Sequence, residues 1–231
     1  MPAKVVEVEG IGTVKFYKRS GSKGIRLTLG VDNTIRVTMP RWLSYHAAQM
    51  FVVSKKDWVA SHNKPLHIFK NGDQIGKAHR VCYVSSTNQA ACVARVTNNQ
   101  IRVLYNPNID PHKALVQAAT YKGALRALKK EASSLLPARL QQLATLHGFS
   151  YQSVAVKHMR SRWGSCSKQQ NLSLNIFLMQ LPWDLIDYVI IHELAHTKAL
   201  NHGKDFWDIM EACLPDARQR RKAIHQYRPA F

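Results

Sequence analysis

The stretch WDLIDYVIIHELAHTKALNHG, residues 183–203, decides the fold of the second half of the chain. Its apolar residues recur with helical spacing, and Asp184 and Asp187 lie in the first turns, where negative charge favours a helix N-terminus. We therefore predict a helix from Trp183 to about Leu200 that buries one side against the core.

This predicted helix contains the motif His192-Glu193-Leu194-Ala195-His196. Residues four apart share a helix face, so His192 and His196 can bind one ion at about 2.0–2.1 Å. Glu193 is rotated by about 100° from His192, which places its carboxylate beside the ion and lets it take a proton from water. The motif predicts one zinc ion per chain, with Glu193 as the general base.

A catalytic zinc needs a third protein ligand as well as an open coordination position. His202 lies ten residues after His192, and a straight helix would separate the two by about 15 Å. The helix must therefore end soon after the motif and the chain must turn back. Asn201 and Gly203 tolerate the left-handed conformation that such a turn can use. We prefer His202 as the third ligand, with a downstream carboxylate such as Glu211 as the alternative.

Residues 109–231 are predicted to be mainly helical around this motif. Pro137 suits a helix start or a kink, and Gly148 suits a helix end. Leu172 to Ile176 alternates apolar and polar residues, so it predicts a strand that can pair with an extended peptide. The other predicted elements are helices over 114–135, 140–147, 204–213 and 217–227, and a strand that begins at 154–156 and leads to 160–167.

Residues 1–108 are predicted to be rich in β-strands and to precede the helical region. Two alternating runs, 25–29 and 35–39, flank a turn at Asp32-Asn33 and predict a hairpin. A helical pattern follows over 44–61, and further strands are predicted at 80–85, 91–96 and 100–105. Asn106-Pro107-Asn108 breaks the pattern, so we predict two parts, 1–108 and 109–231. No internal repeat is visible.

The composition of the 231 residues favours a cytoplasmic protein. No run of eighteen uncharged apolar residues predicts a membrane span, and the first residues do not resemble a signal peptide. The four cysteines form no Cys-x-x-Cys pair, so we expect reduced and mostly buried thiols. These cysteines are Cys82, Cys92, Cys166 and Cys213.

The formal net charge of +19 is the main oddity of the composition. Residues 1–111 contain 16 Lys and Arg against 6 Asp and Glu, and residues 112–231 contain 17 against 8. Charge of this kind attracts polyanions such as nucleic acid, ribosomes or nucleotides. Two clusters can provide such a surface or simply be solvated helix faces: Lys122, Arg126, Lys129 and Lys130, and Arg218, Arg220, Arg221 and Lys222.

Several segments together resemble the YgjP-like metallopeptidase domain, a family related to the SprT and WLM zinc proteases. The resemblance covers most of the chain from about residue 15 and rests on 161–167, 171–175, 186–196 and 201–207. It implies an α+β fold: a zincin-like catalytic domain, with an antiparallel strand beside the zinc helix, after a β-rich N-terminal region. It also implies that His192, His196 and His202 bind the metal and that Glu193 is the base.

The segment Arg160–Cys166 has no single interpretation from the residues alone. Arg160 or Arg162 can stabilise an oxyanion or bind an anionic substrate group. Alternatively, Trp163 packs in the core and the arginines pair with helix carboxylates. Cys166 as a fourth, inhibitory metal ligand is a further alternative.

The sequence favours a zinc metallopeptidase that cleaves peptide bonds with activated water and Glu193 as general base. Two alternatives stay open. One is a metal-dependent nucleotide phosphohydrolase of the pyrophosphatase type, since a metal-activated water also attacks phosphorus. The other is a protease or binding protein associated with nucleic acid or the ribosome.

Overall fold

The computed structural model describes residues 3–29, 35–62, 67–87 and 92–231. The chain divides into two compact units, residues 1–67 and 68–231. Each unit combines helices and strands, so the predicted α+β class is confirmed. The predicted division into a β-rich part, 1–108, and a mainly helical part, 109–231, stays a prediction. The strands between residues 74 and 105 belong to the second unit, where they pack on its long helix.

The first unit contains a four-stranded sheet followed by two helices. The strand order is β1-β2-β4-β3, with β2 and β4 parallel and the two outer pairs antiparallel. The predicted hairpin is confirmed by the pairing of β3 with β4, and its turn lies outside the described residues. The elements are β1 (Lys4–Val8), β2 (Gly12–Arg19), β3 (Arg26–Leu29), β4 (Ile35–Pro40), α1 (Tyr45–Ser54) and α2 (Lys56–His62).

One face of this sheet and the two helices form the core of the first unit. Alternate residues of a strand point to opposite faces, and the inward set includes Val14, Phe16 and Val37, which are fully buried. They pack in one cluster with Ala48 and Val52 of α1. The Ser44 side chain accepts a hydrogen bond from the backbone N–H of Ala47 and caps α1, as is typical of a helix N-terminus.

The second unit begins with another four-stranded sheet, of strand order β5-β6-β8-β7. Its inner strands are parallel and its outer pairs are antiparallel. The order and directions repeat those of the first sheet, which the sequence analysis did not predict. The strands are β5 (Gln74–Ile75), β6 (His79–Ser85), β7 (Val93–Val96) and β8 (Gln100–Tyr105).

A single helix, α3 (Ala114–His147), covers this second sheet. The prediction of two helices separated near Pro137 was wrong, because the helix continues through that residue. Leu136 and Leu140, on either side of the proline, are fully buried, so packing holds the helix together where the proline removes a backbone hydrogen bond. Gly148 ends the helix in the left-handed conformation, as predicted.

A third sheet contacts both α3 and the helix that contains His192 and His196. It consists of β9 (Ser153–Lys157), β10 (Gly164–Cys166) and β11 (Asn171–Asn175). β11 is the central strand, antiparallel to β10 and parallel to β9. The prediction that Leu172 to Ile176 pairs with a peptide was therefore wrong, since both edges of β11 are already paired. The edges available to a partner are those of β9 and β10.

A 3₁₀ helix, Ile176–Gln180, leads from β11 into three α-helices. These are α4 (Trp183–Ala195), α5 (Lys204–Cys213) and α6 (Ala217–Ile224). α4 is almost entirely buried and packs against α3, α5, α6 and β10. In the described part of the chain, no helix is both long and apolar enough to cross a membrane.

Candidate metal centre

The C-terminal end of α4 brings the predicted metal ligands together. The helix stops at Ala195, five residues earlier than predicted. The backbone N–H groups of Thr197 and Lys198 bond to carbonyls three residues back, which tightens the last turn before the chain reverses. The reversal does not use the left-handed conformation expected at Asn201 or Gly203: Gly203 has φ −77°, and among described non-glycine residues only Gln170 has positive φ.

The three histidines point their Nε2 atoms at one another. The Nε2 of His192 lies 3.2 Å from that of His196 and 3.1 Å from that of His202. Two imidazole nitrogens bound to one tetrahedral zinc at about 2.0–2.1 Å are about 3.3 Å apart, so the spacing fits such an ion. Within the described residues, these three form the group of side chains able to hold a metal ion.

Phe206 forms a floor under the three imidazoles, a role that the sequence analysis missed. Its ring centroid lies 5.0 Å from that of His192, 4.8 Å from His196 and 4.7 Å from His202. The side chain is fully buried. Phe206 lies in the first turn of α5, four residues after His202, so this short spacing was the available signal. This contact limits the rotation of all three rings at once.

The protonation of the histidines suits metal binding, which needs neutral imidazoles. Burial lowers the pKa of His192 to about 3, with His196, His202 and Arg221 acting in the same direction. The pKa of His202 is also lowered, by burial and then by His196 and Arg221. The Nδ1 of His196 donates to the carbonyl of Ala199 at 3.0 Å, which leaves its Nε2 lone pair for the ion.

Glu193 lies beside this triad in a pocket made by β10. The side chain is only 6% exposed, and burial raises its pKa to about 8 while the charge of Arg162 acts in the opposite direction. Its carboxylate packs against Gly164: a Cβ there would lie 2.6 Å from both Cγ and Oε1 of Glu193. Only glycine leaves room for this carboxylate.

A buried asparagine holds the Arg-Trp-Gly-Ser-Cys segment in place. Asn175 is fully buried, and its Nδ2 donates to the carbonyls of Met159 at 2.8 Å and Arg162 at 2.7 Å. Its Oδ1 accepts from the backbone N–H groups of Met159 and Phe177. An asparagine at a strand end has no distinctive sequence pattern, so this role of Asn175 was not predicted from the residues.

The two candidate arginines are placed differently. Arg162 is exposed and its charge acts on Glu193, whereas the charge of Arg160 acts on Tyr121 and His158. Trp163 is half-buried and packs against the main core. The structure therefore brings Arg162, and not Arg160, close to the predicted base.

The alternative ligands are not brought into the histidine cluster. Glu211 pairs with Arg218. Cys166 is half-buried, its Sγ donates to the Ser167 carbonyl, and burial raises its pKa, with Glu193 acting in the same direction. All four cysteines are free, as expected, but half-buried rather than buried.

The crystal structures of two metallopeptidase zymogens are similar to part of the chain. Abylysin of Pyrococcus abyssi is 23% identical with a TM-score of 0.37, covering 40% of this chain and 93% of its own. Jannalysin of Methanocaldococcus jannaschii is 23% identical with a TM-score of 0.34, covering 38% and 90%.

No curated protein shows significant sequence similarity to the chain. A family model does: the model of the YgjP-like metallopeptidase domain matches residues 23–227. That range spans nearly the whole chain and includes the histidine cluster, Glu193 and the β10 segment. The chain therefore belongs to the YgjP-like metallopeptidase domain family.

Proposed function

We propose that the protein is a zinc metallopeptidase with His192, His196 and His202 as metal ligands and Glu193 as general base. The observation that carries the proposal is the convergence of three Nε2 atoms next to the buried Glu193. Those of His196 and His202 lie 3.2 and 3.1 Å from that of His192. Membership of a metallopeptidase family implies a metal, and three neutral imidazoles are a ligand set that suits zinc.

Different residues of the chain have different roles in peptide hydrolysis. When bound, zinc supplies a Lewis acid that polarises a carbonyl and favours ionisation of water. The three histidines hold the ion, and Phe206 keeps their rings in place. Glu193 takes a proton from the attacking water and returns it to the leaving amine. Arg162 supplies a positive charge near Glu193.

The outer edge of β10 can align the substrate beside Glu193. The Trp163 carbonyl accepts from the N–H of Asn175, and the N–H of Ser167 donates to the carbonyl of Asn171, both in β11. In an antiparallel pair such bonded positions alternate with positions that face away, so Gly164 and Cys166 direct their N–H and C=O groups outward. An extended peptide can add to this edge as a further strand. Because Gly164 also contacts Glu193, the main chain of the peptide would pass next to the base.

The variant Glu193→Gln tests the proposal. Glutamine keeps the size of the side chain but does not accept the proton, so peptide cleavage should fall about 10²–10⁴-fold while zinc binding persists. Elemental analysis should give about one zinc per chain in both proteins. The matched control is Glu211→Gln, which removes a carboxylate from the neighbouring helix α5 and should leave cleavage intact.

Two outcomes would contradict the mechanism. Loss of zinc together with activity would make Glu193 a ligand, and full activity in the variant would place the base elsewhere. The substrate class is tested by giving the zinc-loaded protein a peptide library and a nucleotide panel. Hydrolysis of nucleotides but not of peptides, abolished by Glu193→Gln, would replace the peptidase with a phosphohydrolase at the same site.

A further inference from the structure

The first unit leaves one face of its sheet without a helix from the described part of that unit. The opposite face is the one that packs on α1 and α2. The open face carries Lys15, Tyr17 and Arg19 along β2, since these alternate with the buried Val14 and Phe16. The neighbouring strands add three more residues in the same orientation: Arg36 and Thr38 from β4, and Arg26 from β3.

The register places Tyr17 in the middle of these basic residues. Tyr17 is opposite Thr38, and Thr38 is opposite Arg26, so one row runs Tyr17-Thr38-Arg26 across the sheet. Neighbouring strands are about 4.8 Å apart and alternate residues of one strand about 6.8 Å apart. The aromatic ring therefore has cations about 7–10 Å away along its own strand and across the sheet.

Three of the basic residues on this face are not used by the described part of the fold, unlike others in the chain. In the described residues, Lys15, Arg19 and Arg26 make no ion pair and no side-chain hydrogen bond. By contrast, Lys4 and Lys18 lie 4.6 and 4.8 Å from the ring centroid of Tyr45 on the other side of the sheet. The fold therefore gives no reason for three separate cations on the open face.

The two basic clusters noted in the sequence differ in this respect. Arg126 donates to the carbonyl of Ala94, and Lys130 donates to Thr97 and Asn98. The second cluster is also engaged: Arg218 pairs with Glu211, Arg220 pairs with Asp216, and Arg218 and Arg221 lie over the ring of Trp207. Much of the positive charge of the second unit thus serves internal contacts.

A depression of about 500 Å³ adjoins the open face and adds to its positive charge. It is lined by residues 19–26 and Thr38, so Arg19, Lys23 and Arg26 surround the hydroxyls of Ser20 and Ser22. The acidic residue on the same face is Glu7, which lies on the edge strand β1 and accepts a hydrogen bond from Thr13. Residues 1–67 contain 11 Lys and Arg against 4 Asp and Glu.

We propose that this open face binds single-stranded nucleic acid, with Tyr17 stacking on a base and the surrounding cations contacting phosphates. Charge complementarity identifies a polyanion. The half-buried Tyr17 at the centre of the face then favours unpaired bases, since bases stack on aromatic side chains of sheet surfaces. Duplex readers instead insert a helix or ribbon into a groove, and this face offers neither.

Fluorescence anisotropy of a labelled 15-nucleotide oligo-dT and oligo-rU, titrated with the full chain at several salt concentrations, tests the proposal. Lys15→Ser combined with Arg26→Ser should weaken binding at least tenfold and reduce the slope of log affinity against log salt by about 1.4, at about 0.7 per phosphate contact. The matched control, Lys55→Ser with Lys56→Ser, removes the same charge from exposed positions on the helix side. It should change affinity by less than about threefold.

Substitution of Tyr17 separates stacking from charge. Tyr17→Thr keeps a strand-forming residue and should weaken binding about 5- to 150-fold with the salt slope unchanged. Tyr17→Phe keeps the ring and should retain the affinity. Equal thermal midpoints show that each variant is folded.

Three results would overturn the proposal. The first is equal losses in the two double variants, which would mean that only total charge matters. The second is unchanged affinity in Tyr17→Thr. The third is binding to anionic phospholipid vesicles through the same residues, without binding to either oligonucleotide.

Discussion

The second unit contains two sites that combine a histidine with a buried glutamate, and they differ in how their polar atoms are satisfied. Glu131 on α3 accepts hydrogen bonds from the backbone N–H groups of residues 77, 78 and 79 and from the ring of His79. His79 also contacts the carbonyl of Thr97 through Nε2 at 3.1 Å. Each polar atom of this pair therefore has a partner within the protein.

At the metal centre, one ring nitrogen lacks such a partner. The Nδ1 of His192 is buried without a hydrogen bond to any described residue, and burial raises the pKa of Glu193 to about 8. Both glutamates lie against a glycine, Gly76 for Glu131 and Gly164 for Glu193. The two sites thus share residue types and a buried glutamate, but among the described residues only the first has a protein hydrogen-bond partner for both nitrogens of its histidine. Buried polar groups with few protein partners point to a ligand or to catalysis, whereas the first pair stabilises the fold.

Removal of His202 should have the largest effect, because it takes away one of three ligands. We expect His202→Ala to weaken zinc binding by more than about 100-fold, the upper end of what the outer partners of a metal site cost. Glu211→Ala, the matched control, should leave zinc affinity unchanged. Competition with a chelator measures both, and the reverse ranking would make the carboxylate the third ligand. Zinc affinity that depends on His79 would remove the contrast between the two pairs.

Replacing each glutamate by glutamine should have opposite effects on the stability of the metal-free protein. Glu131→Gln puts an amide against several backbone donors, and hydrogen bonds to a charged group contribute about 1.5–3 kcal/mol each. We therefore expect the free energy of unfolding to fall by about 3 kcal/mol. Urea denaturation at pH 8 measures it, and an unchanged value would mean that the first pair does not stabilise the fold.

Glu193→Gln should instead stabilise the metal-free protein at alkaline pH. Because the pKa of Glu193 is about 8 in the folded state against an ordinary 4.5, the folded state binds more protons than the unfolded state between these values. Its contribution to stability is full below pH 4.5 and is lost as the pH rises through 8. The glutamine variant should lack this loss, so its free energy of unfolding above pH 8 should exceed that of the wild type by about 1–4 kcal/mol. If the free energy of unfolding of the variant and of the wild type changed in parallel with pH, the prediction would be contradicted.

Replacing each of the two glycines by alanine should also have different effects, on stability at Gly76 and on catalysis at Gly164. Gly76 has φ +65°, so Gly76→Ala adds backbone strain to a clash with Glu131 and should lower the thermal midpoint. Gly164 has an ordinary φ, and its substitution mainly displaces the carboxylate of Glu193. A misplacement near 1 Å can cost about 10²-fold, so we expect kcat to fall 10- to 100-fold in Gly164→Ala. Unchanged kcat, or a loss that appears only in KM, would show that Gly164 does not position the base.

The sequence predicted the parts of the site that depend on local spacing. The motif residues, the need for a reversal before His202 and the bounds 204–213 of the next helix all follow from helical periodicity. The missing parts depend on contacts between distant segments. Phe206 is recognisable as a floor only once three rings meet above it, and Asn175 only once the loop from Met159 to Arg162 folds over it.

The same limit explains the errors in secondary structure. Pro137 favours a break in local terms, but burial of Leu136 and Leu140 outweighs it. Alternation identified β11 as a strand, yet alternation does not reveal whether a strand is central or at an edge. The repeated strand order of the two four-stranded sheets likewise became visible only from the strand pairing.

The smallest expected effect concerns Arg162, whose exposed side chain has a charge that acts on Glu193. Its charge lowers the pKa of Glu193 against the larger effect of burial, and its carbonyl is held by Asn175 at 2.7 Å. Arg162→Lys keeps the charge but loses the planar fork, so kcat/KM should fall by less than about tenfold with an unchanged thermal midpoint.

Arg162→Gln removes the charge, so it distinguishes an electrostatic role of Arg162 from a role in packing. Because the positive charge favours the ionised carboxylate, its loss should raise the pKa of Glu193 further. The acidic limb of the kcat/KM profile should then move to higher pH in Arg162→Gln and stay in place in Arg162→Lys. A large fall in thermal midpoint with intact activity would assign Arg162 to packing. An unmoved acidic limb in Arg162→Gln would mean that its charge does not reach the base, and the contrast with the self-contained Glu131 site would then rest on burial and the metal ligands alone.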